Sequence, residues 1–591
     1  MANPQRLFDS IEMLLKNDAN TVLAAKEGEH WREYKALEIN DTVEKLATGL
    51  MALGISCEDM SVDKRNKIAI ISKNRPEWLF VDLAVQRIGG VLVPVYPTAH
   101  VNDLQFVLND AQVKIVFVND DELFFKVQSI RNNVPSLQEV YSFDHISGCK
   151  HWKEILSVGK QEHYQQLTTV SDRINTEDLF TIIYTSGTTG TPKGVMLSHH
   201  NVLSNVMNCI PCLPVQRGSK AISFLPLNHI FERMVTYLYL FAGVSIYYAE
   251  SLEALGDNLR EVKPNIFTTV PRLLEKVYER IILKANKLTG IKKKLFDWAL
   301  QLGQRYDVQE KGSIGYRMQL ALANKIVFNK WREGLGNNIE CIVTGAAACP
   351  VKLIRIFTAA GIPVLEGYGQ TESSPVICVN ALDPGMRMFG TVGPAIDGVE
   401  VKIAEDGEIL CKGPNVMMGY YKRPDLTMET VKDGWLYTGD IGMCVNNKFL
   451  KITDRKKEIF KTSGGKFVAP QPIENKMVES PLIEQIMVVG AEQRFAGALI
   501  VPSFSALREW CKENGIEATK NGVIHHQKVL NHYKDIVEEM NKNFSPVEQI
   551  KRFELLPEEW TVDGGELTPT LKLKRKVIME KYRDAVDRIY K

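Results

Sequence analysis

The stretch Tyr184-Thr185-Ser186-Gly187-Thr188-Thr189-Gly190-Thr191-Pro192-Lys193-Gly194 decides how the rest of the chain is read. It follows a strand-like apolar run, Leu179 to Tyr184, and precedes a helix-like run that begins near Ser198. Its eleven residues hold three Gly, five Ser or Thr and one Lys. Glycine lets backbone N–H groups turn toward one point, hydroxyls add donors, and Lys adds a compact positive charge. That inventory suits a polyphosphate. It is not the common P-loop, which ends in Gly-Lys-Ser/Thr, because Lys193 stands between Pro192 and Gly194. The competing reading is a solvated Gly/Thr linker, as a shorter run of this composition would usually be.

The 591 residues exceed one ordinary domain. Hydrophobic residues make up 45% and charged ones 24%, as in globular proteins. A net charge of +1 gives no global field for nucleic acid or acidic partners. Ten scattered cysteines are no disulfide framework and point to a reducing compartment. Cys209-Ile-Pro-Cys212 has no second pair nearby, so zinc is not expected. Met1 to Arg6 lacks the basic start and apolar core of a signal peptide. The longest uncharged apolar run, Met234 to Ala249, falls short of the ~18–20 residues of a membrane span. A cytoplasmic location is expected, with the inner face of a membrane as the alternative.

Residues 67–142 alternate between short apolar strands (67–72, 91–95, 113–118) and helices (76–88, 101–111), the pattern of a covered, mostly parallel sheet. The pattern returns after the phosphate-suited loop, with strands at 221–225, 244–248, 265–270 and 339–344. Between them Leu274, Val277, Tyr278 and Ile281 share one helical face. Residues 390–450 carry Gly-Pro and Asp-Gly turns between short alternating strands and read as a small β-rich unit. The chain becomes mixed again after Asp454. The fold expected is α/β: a large N-terminal domain, 1–453, of two parallel-sheet subdomains and a β-rich subdomain, then a smaller α+β C-terminal domain, 454–591. The segment 283–336 is helical and locally basic. There Ile291, Leu295, Trp298 and Leu302 fall on one face beside Lys292, Lys293 and Lys294. Such a helix either packs on its domain, which a stripe usually does, or lies on an anionic membrane.

The 184–194 stretch resembles the phosphate loop of the acyl-adenylate-forming superfamily, which includes acyl-CoA synthetases, peptide-synthetase adenylation domains and firefly luciferase. Further stretches carry the resemblance through nearly the whole chain and in family order. Gly367-Tyr368-Gly369-Gln370-Thr371-Glu372 follows a strand and places a carboxylate at a strand end, where α/β sheets bind ligands. A carboxylate beside a triphosphate needs a bridging hard cation. The resemblance assigns Mg2+ to Glu372 with Thr185, adenine stacking to Tyr368, and the α-phosphate to Thr371. It places Thr185, Ser186, Gly187, Thr188, Thr189, Gly190 and Lys193 on the ATP phosphates. Gly345 and Ala346, within Gly345-Ala-Ala-Ala-Cys-Pro350, would border adenine and the acyl carboxylate; Gly367 and Gly369 belong to the same nucleotide site.

Asp433-Gly-Trp-Leu-Tyr-Thr-Gly-Asp440, followed by Leu450-Lys-Ile-Thr-Asp-Arg-Lys-Lys457, resembles the fatty-acyl-CoA synthetase signature, departing from it at Met443 to Phe449. The two oxygens of Asp440 suit the vicinal hydroxyls of a ribose. By resemblance Arg455 also reaches the ribose, Ile452 and Lys457 line the nucleotide site, and Asp454 is the hinge of a mobile C-terminal domain. Gly464 and Gly465 would help form the pantetheine tunnel. In Leu567-Thr-Pro-Thr-Leu-Lys572-Leu-Lys-Arg575, Thr-Leu-Lys replaces the more widespread Ser-Gly-Lys, as in eukaryotic-type long-chain synthetases. The catalytic lysine is assigned to Lys572, with Lys574 and Lys576 as competitors by type. His229 is placed by the acyl carboxylate, although a lone His is more often structural. The apolar helix after it suits an acyl channel wall or plain core. The implied activity turns a long-chain fatty acid, ATP and coenzyme A into acyl-CoA through acyl-AMP. The alternatives are a fatty acyl-AMP ligase loading a carrier protein, a ligase for medium-chain or aryl acids, and a non-catalytic acyl or nucleotide binder in lipid uptake.

Overall fold

The apolar runs Lys67–Ile71, Val91–Pro94 and Val113–Val118 are almost wholly buried and pair in parallel, as strands covered on both faces do. The computed structural model describes residues 4–16, 21–57, 59–186, 192–310, 312–516, 522–562, 564–568 and 572–591. The first sheet has eight strands in the order 419–420, β2, β1, 91–94, 67–71, 113–118, 139–142 and 150–151, where β1 is Leu179–Ser186 and β2 is Pro192–Ser198. Strand β1 joins the sheet parallel to 91–94, and β2 folds back antiparallel on it with Thr185 opposite Lys193. The helix expected near Ser198 is His199–Cys209, with the Ser198 hydroxyl accepting from Asn201 N–H as its cap. Helix α1, Pro76–Arg87, packs between this sheet and the next.

The second sheet, also eight-stranded, runs 376–379, β4, β3, 266–269, 220–223, 245–248, 23–27 and 30–34, where β3 is Cys341–Thr344 and β4 is Val364–Gly369. The two sheets are not sequential in the chain: in the hairpin Leu23–Glu27/His30–Tyr34, Leu23 lies opposite Ile246, so the chain's first strands complete the second sheet. Pairing across more than two hundred residues leaves no mark on local periodicity. Helix α2, Ile230–Ala242, is held against α1 by a buried cluster. Arg233 Nε donates to Asp82 at 3.0 Å, Tyr237 Oη donates to Asp82 at 2.5 Å, and Arg233 Nη1 donates to Thr181 Oγ1 on β1 at 2.7 Å. The ion pair is satisfied on both sides, as burial requires. It fixes the start of α2 relative to the strand that carries Thr185.

In the basic segment, helices α3, Gly290–Gln304, and α4, Ile314–Ala323, lie outside the second sheet, and α4 continues through a single π turn at Asn324–Phe328. The packed face of α3 is Phe296, Ala299, Leu302 and Gly303, whereas Ile291 and Leu295 are exposed. The expected stripe is therefore corrected: Leu302 and half-buried Trp298 pack on the domain, and the first turn leaves it. Among the described residues no helix is long and apolar enough to cross a membrane.

The β-rich stretch forms a five-stranded antiparallel sheet containing β5, Trp435–Val445, paired with β6, Phe449–Arg455. Beyond it, strands 483–489, 497–502 and 552–555 form a three-stranded mixed sheet with helices packed on both faces. Arg272, at the start of the helix Pro271–Asn286, forms an ion pair with Glu484 on this last sheet.

Candidate active site

The C-terminal ends of β1, β3 and β4 and the middle of β5 carry the candidate residues, which gather into one cleft. Strand β4 alternates its side chains, so Glu366 and Tyr368 point to one face. Tyr368 Oη donates to Asp440 Oδ2 at 2.6 Å. Asp440 lies opposite Arg455 across β5 and β6, with Arg455 Nε 3.3 Å from Oδ1. Burial raises the Asp440 carboxyl above the usual carboxylate range, while Arg455, the Tyr368 hydroxyl and Lys572 pull it back. In the tight turn after β4, Gln370 N–H donates to Ser373 Oγ at 3.0 Å. Gly369 has a structural reason: a Cβ there would lie 1.7 Å from the Pro375 carbonyl oxygen. Gly345 is different. A Cβ there would meet the Gly367 carbonyl oxygen at 3.5 Å and the Phe231 ring at 3.6 Å, both ordinary contacts. Ala346 beside it adopts a left-handed φ of 69°.

Glu372 lies beside the β1–β2 strand pair. Its Oε1 accepts from Tyr420 Oη at 2.8 Å, and the Lys193 ammonium lies 5.1 Å over the Tyr420 ring. Tyr420 reaches this place because Gly419–Tyr420 pairs antiparallel with β2, Tyr420 facing Val195. Lys193, Tyr420 and Glu372 are thus brought together, with Thr185 opposite Lys193 in the strand pair. Glu372 offers a carboxylate and Thr185 a hydroxyl, hard oxygen donors of the kind that Mg2+ accepts beside phosphates and water. Gly187, Thr188, Thr189 and Gly190 lie outside the described residues, as does the Ser186 side chain.

Lys572 enters this cleft from the far end of the chain. Leu567 and Leu573 form an antiparallel bridge, and Lys572 N–H donates to Thr568 Oγ1 at 3.0 Å. Burial, and then Arg455, lowers the Lys572 ammonium to a pKa of about 8 against the opposing pull of Asp440 and Glu372. Lys574 and Lys576 are not drawn into this cluster by any ion pair the described residues show, whereas Arg575 binds Glu458 at 3.0 Å and Glu474 at 2.6 Å.

His229 caps α2: its Nδ1 accepts from Phe231 N–H at 3.1 Å. The proton therefore sits on Nε2, leaving a donor for an anion. Burial, then the Lys572 charge, depresses its pKa to about 3, so the ring stays neutral at working pH. The cap occupies only Nδ1 and leaves the other ring nitrogen free of that contact. Phe231, two residues on, lies beside Gly345, while most of α2 is core.

Near the end of β6, Asp454 accepts from Arg455 N–H at 2.6 Å and Gln471 N–H at 3.3 Å, and burial raises it to about 6. Lys456 reaches Asp406 at 2.5 Å and Glu408 at 2.8 Å. Ile452 on β6 is half-buried opposite Gly442, and Lys457 lies in the turn that follows β6. Gly464 and Gly465 form the turn of the hairpin 460–468, tied to Gln493 rather than to the residues around Lys572.

Two residues of the cleft escape the sequence reading. Tyr420 carries no local signal, because its place depends on a strand pair formed across more than two hundred residues. Glu366 did leave one: a carboxylate inside the apolar run Pro363 to Leu365 and Gly367. Its Oε1 accepts from Cys349 N–H at 2.9 Å, and burial lifts its pKa to about 7.

An AMP-binding enzyme family model matches residues 16–421, and a model of the AMP-binding enzyme C-terminal domain matches residues 457–591. The chain belongs to the AMP-binding enzymes. It is 32% identical to long-chain-fatty-acid–CoA ligase FadD15 of Mycobacterium bovis, over 95% of this chain and 92% of that one. It is 33% identical to human long-chain-fatty-acid–CoA ligase 1, over 88% of this chain and 78% of the relative. The adenylation domain of a Mycobacterium chelonae carboxylate reductase has the same fold, with a TM-score of 0.77 and 21% identity over 100% of this chain and 92% of that one.

Proposed function

We propose that this AMP-binding enzyme is a long-chain fatty acid–CoA ligase. A fatty carboxylate attacks the α-phosphate of ATP, forming acyl-AMP and releasing pyrophosphate. The CoA sulfur then attacks the acyl carbonyl, giving the thioester, AMP and a proton. The carrying observation is the convergence of Lys572 with Asp440, Arg455, Glu372 and His229 in one cleft. The names of the full-length relatives support the substrate class.

In this reading Asp440 and Arg455 hold the ribose, and Tyr368 presents its ring to adenine while its hydroxyl orients Asp440. Gly345, Ala346, Gly367, Gly369, Ile452 and Lys457 line that nucleotide site. Thr185, Ser186, Gly187, Thr188, Thr189, Gly190 and Lys193 hold the β- and γ-phosphates, and Thr371 meets the α-phosphate. Mg2+, held by Glu372 and Thr185, would supply charge neutralisation on the phosphates. The Nε2–H of His229 orients the acyl carboxylate, and Lys572 stabilises the charge that develops at the α-phosphate. The chain divides at Asp454 into 1–453 and 454–591. Rotation there withdraws Lys572 and brings in Gly464 and Gly465 for the thiol step. The enzyme works in the cytoplasm, with peripheral membrane contact through residues 283–336.

The test is the intermediate. With MgATP and palmitate but no CoA, enzyme-bound palmitoyl-AMP is expected by mass spectrometry, and added CoA should convert it to palmitoyl-CoA and AMP. Acyl-AMP that CoA cannot discharge would point to carrier-protein loading. No acyl-AMP from any acid would refute the ligase reading.

A further inference from the structure

Helix α4 turns an apolar ladder outward. Ile314, Met318, Leu322 and Ile326 follow one another at intervals of four residues, and they are 72%, 70%, 51% and 41% exposed. The opposite face is anchored: Ala323 and Phe328 are buried, and Tyr316 Oη donates to the Leu302 carbonyl on α3 at 2.9 Å. Single exposed apolar side chains are ordinary, but four in a row on one anchored helix are not. Arg317, Lys325 and Lys330 are exposed on the same stretch. No Asp or Glu occurs from Lys311 to Arg332, and residues 283–336 hold eleven Lys or Arg against four Asp or Glu. In a chain of net charge +1, this one segment carries the positive excess.

We infer that the α4 ladder is the docking face for an anionic lipid bilayer. The ladder would enter the headgroup boundary while Arg317 and Lys325 meet lipid phosphates, as interfacial helices with an apolar face and cationic flanks do. The charge selects this occupant. A second copy would bring the same cations against each other, whereas an anionic leaflet complements them. The inference rests on the membrane contact proposed for residues 283–336 and moves it from the α3 stripe to α4. It also gives the ligase a place beside the phase in which long-chain acids dissolve.

The experiment is sedimentation of the full chain with vesicles of phosphatidylcholine, with and without phosphatidylglycerol. The parent is expected to co-sediment with the anionic vesicles only, less so at high salt. Met318→Gln with Leu322→Gln should cut partitioning about tenfold or more. Both side chains are exposed, so the melting temperature and pyrophosphate release with a soluble medium-chain acid should not change. Arg317→Glu with Lys325→Glu should have the same effect. If Lys292→Glu with Lys294→Glu abolishes binding while the α4 variants keep it, membrane contact stands and its assignment to α4 falls. A parent that never binds vesicles, or a parent dimer made monomeric by the α4 variants, would overturn the lipid assignment while leaving the ligase reading intact.

Discussion

Replacing Lys572 with Ala should separate the two half-reactions. Burial and the Arg455 guanidinium hold the ammonium at a pKa of about 8 against an ordinary 10.5. At pH 7 the group is charged in both the folded and the unfolded chain. The lowered value therefore means a folded-state penalty on the order of 3 kcal/mol, at ~1.4 kcal/mol for each tenfold change in proton affinity. The penalty is complete below pH 8, fades as pH rises from about 8 to 10.5, and is absent above that range. Lys572→Ala should consequently melt no lower than the parent at pH 7, which separates lost chemistry from lost folding. Its cost falls on the transition state. Removing one preorganised donor from a developing charge slows a step by roughly 10²–10³, or ~2.7–4 kcal/mol. Pyrophosphate release from MgATP and palmitate, measured without CoA, should fall by that amount. Thioester formation from supplied palmitoyl-AMP and CoA should stay within about twofold of the parent. Equal loss of both steps, or unchanged adenylation, would refute the assignment of Lys572.

The kcat/KM for adenylation should fall as pH rises through about 8, because Lys572 acts as the ammonium; a pH series on Lys572→Arg should lack that limb, since a guanidinium stays charged. Glu372→Gln should raise the Mg2+ needed for half-maximal pyrophosphate release by roughly tenfold or more, as a hard cation loses a carboxylate oxygen. Tyr420→Phe, which deletes only the 2.8 Å donor to Glu372, should move the same titration less, within the ~1.5–3 kcal/mol of a hydrogen bond to a charged group. Arg272→Ala should slow adenylation several-fold by breaking the Glu484 pair, with thioester formation from supplied acyl-AMP spared; the charge-swapped double variant should restore it.

The strands at 67–71, 91–94 and 113–118 and the helix at 76–87 were legible because period and turn chemistry are local properties. The candidate site residues were reached by a different route: Gly, Thr and carboxylate groups stood in motifs at recognisable spacing. What could not be read was pairing at long range. The hairpin 23–34 joins a sheet whose other strands begin at 220, and Tyr420 reaches Glu372 only because 419–420 pairs with β2. The α3 stripe misled because helical periodicity defines a face without saying what covers it: Leu302 found the domain and Ile291 did not. The ladder on α4 was equally periodic, and only its exposure distinguishes it from a core face. His229 was read as structural or functional, but its two nitrogens permit both.

The most direct test is pyrophosphate release from MgATP across saturated acids of rising chain length, with and without CoA. Release that peaks at long chains and turns over only when CoA is present, with acyl-CoA as the product, is expected of the ligase. Release confined to short or aryl acids would contradict the long-chain assignment. No release with any acid would contradict the assignment of catalysis to the Lys572 cleft.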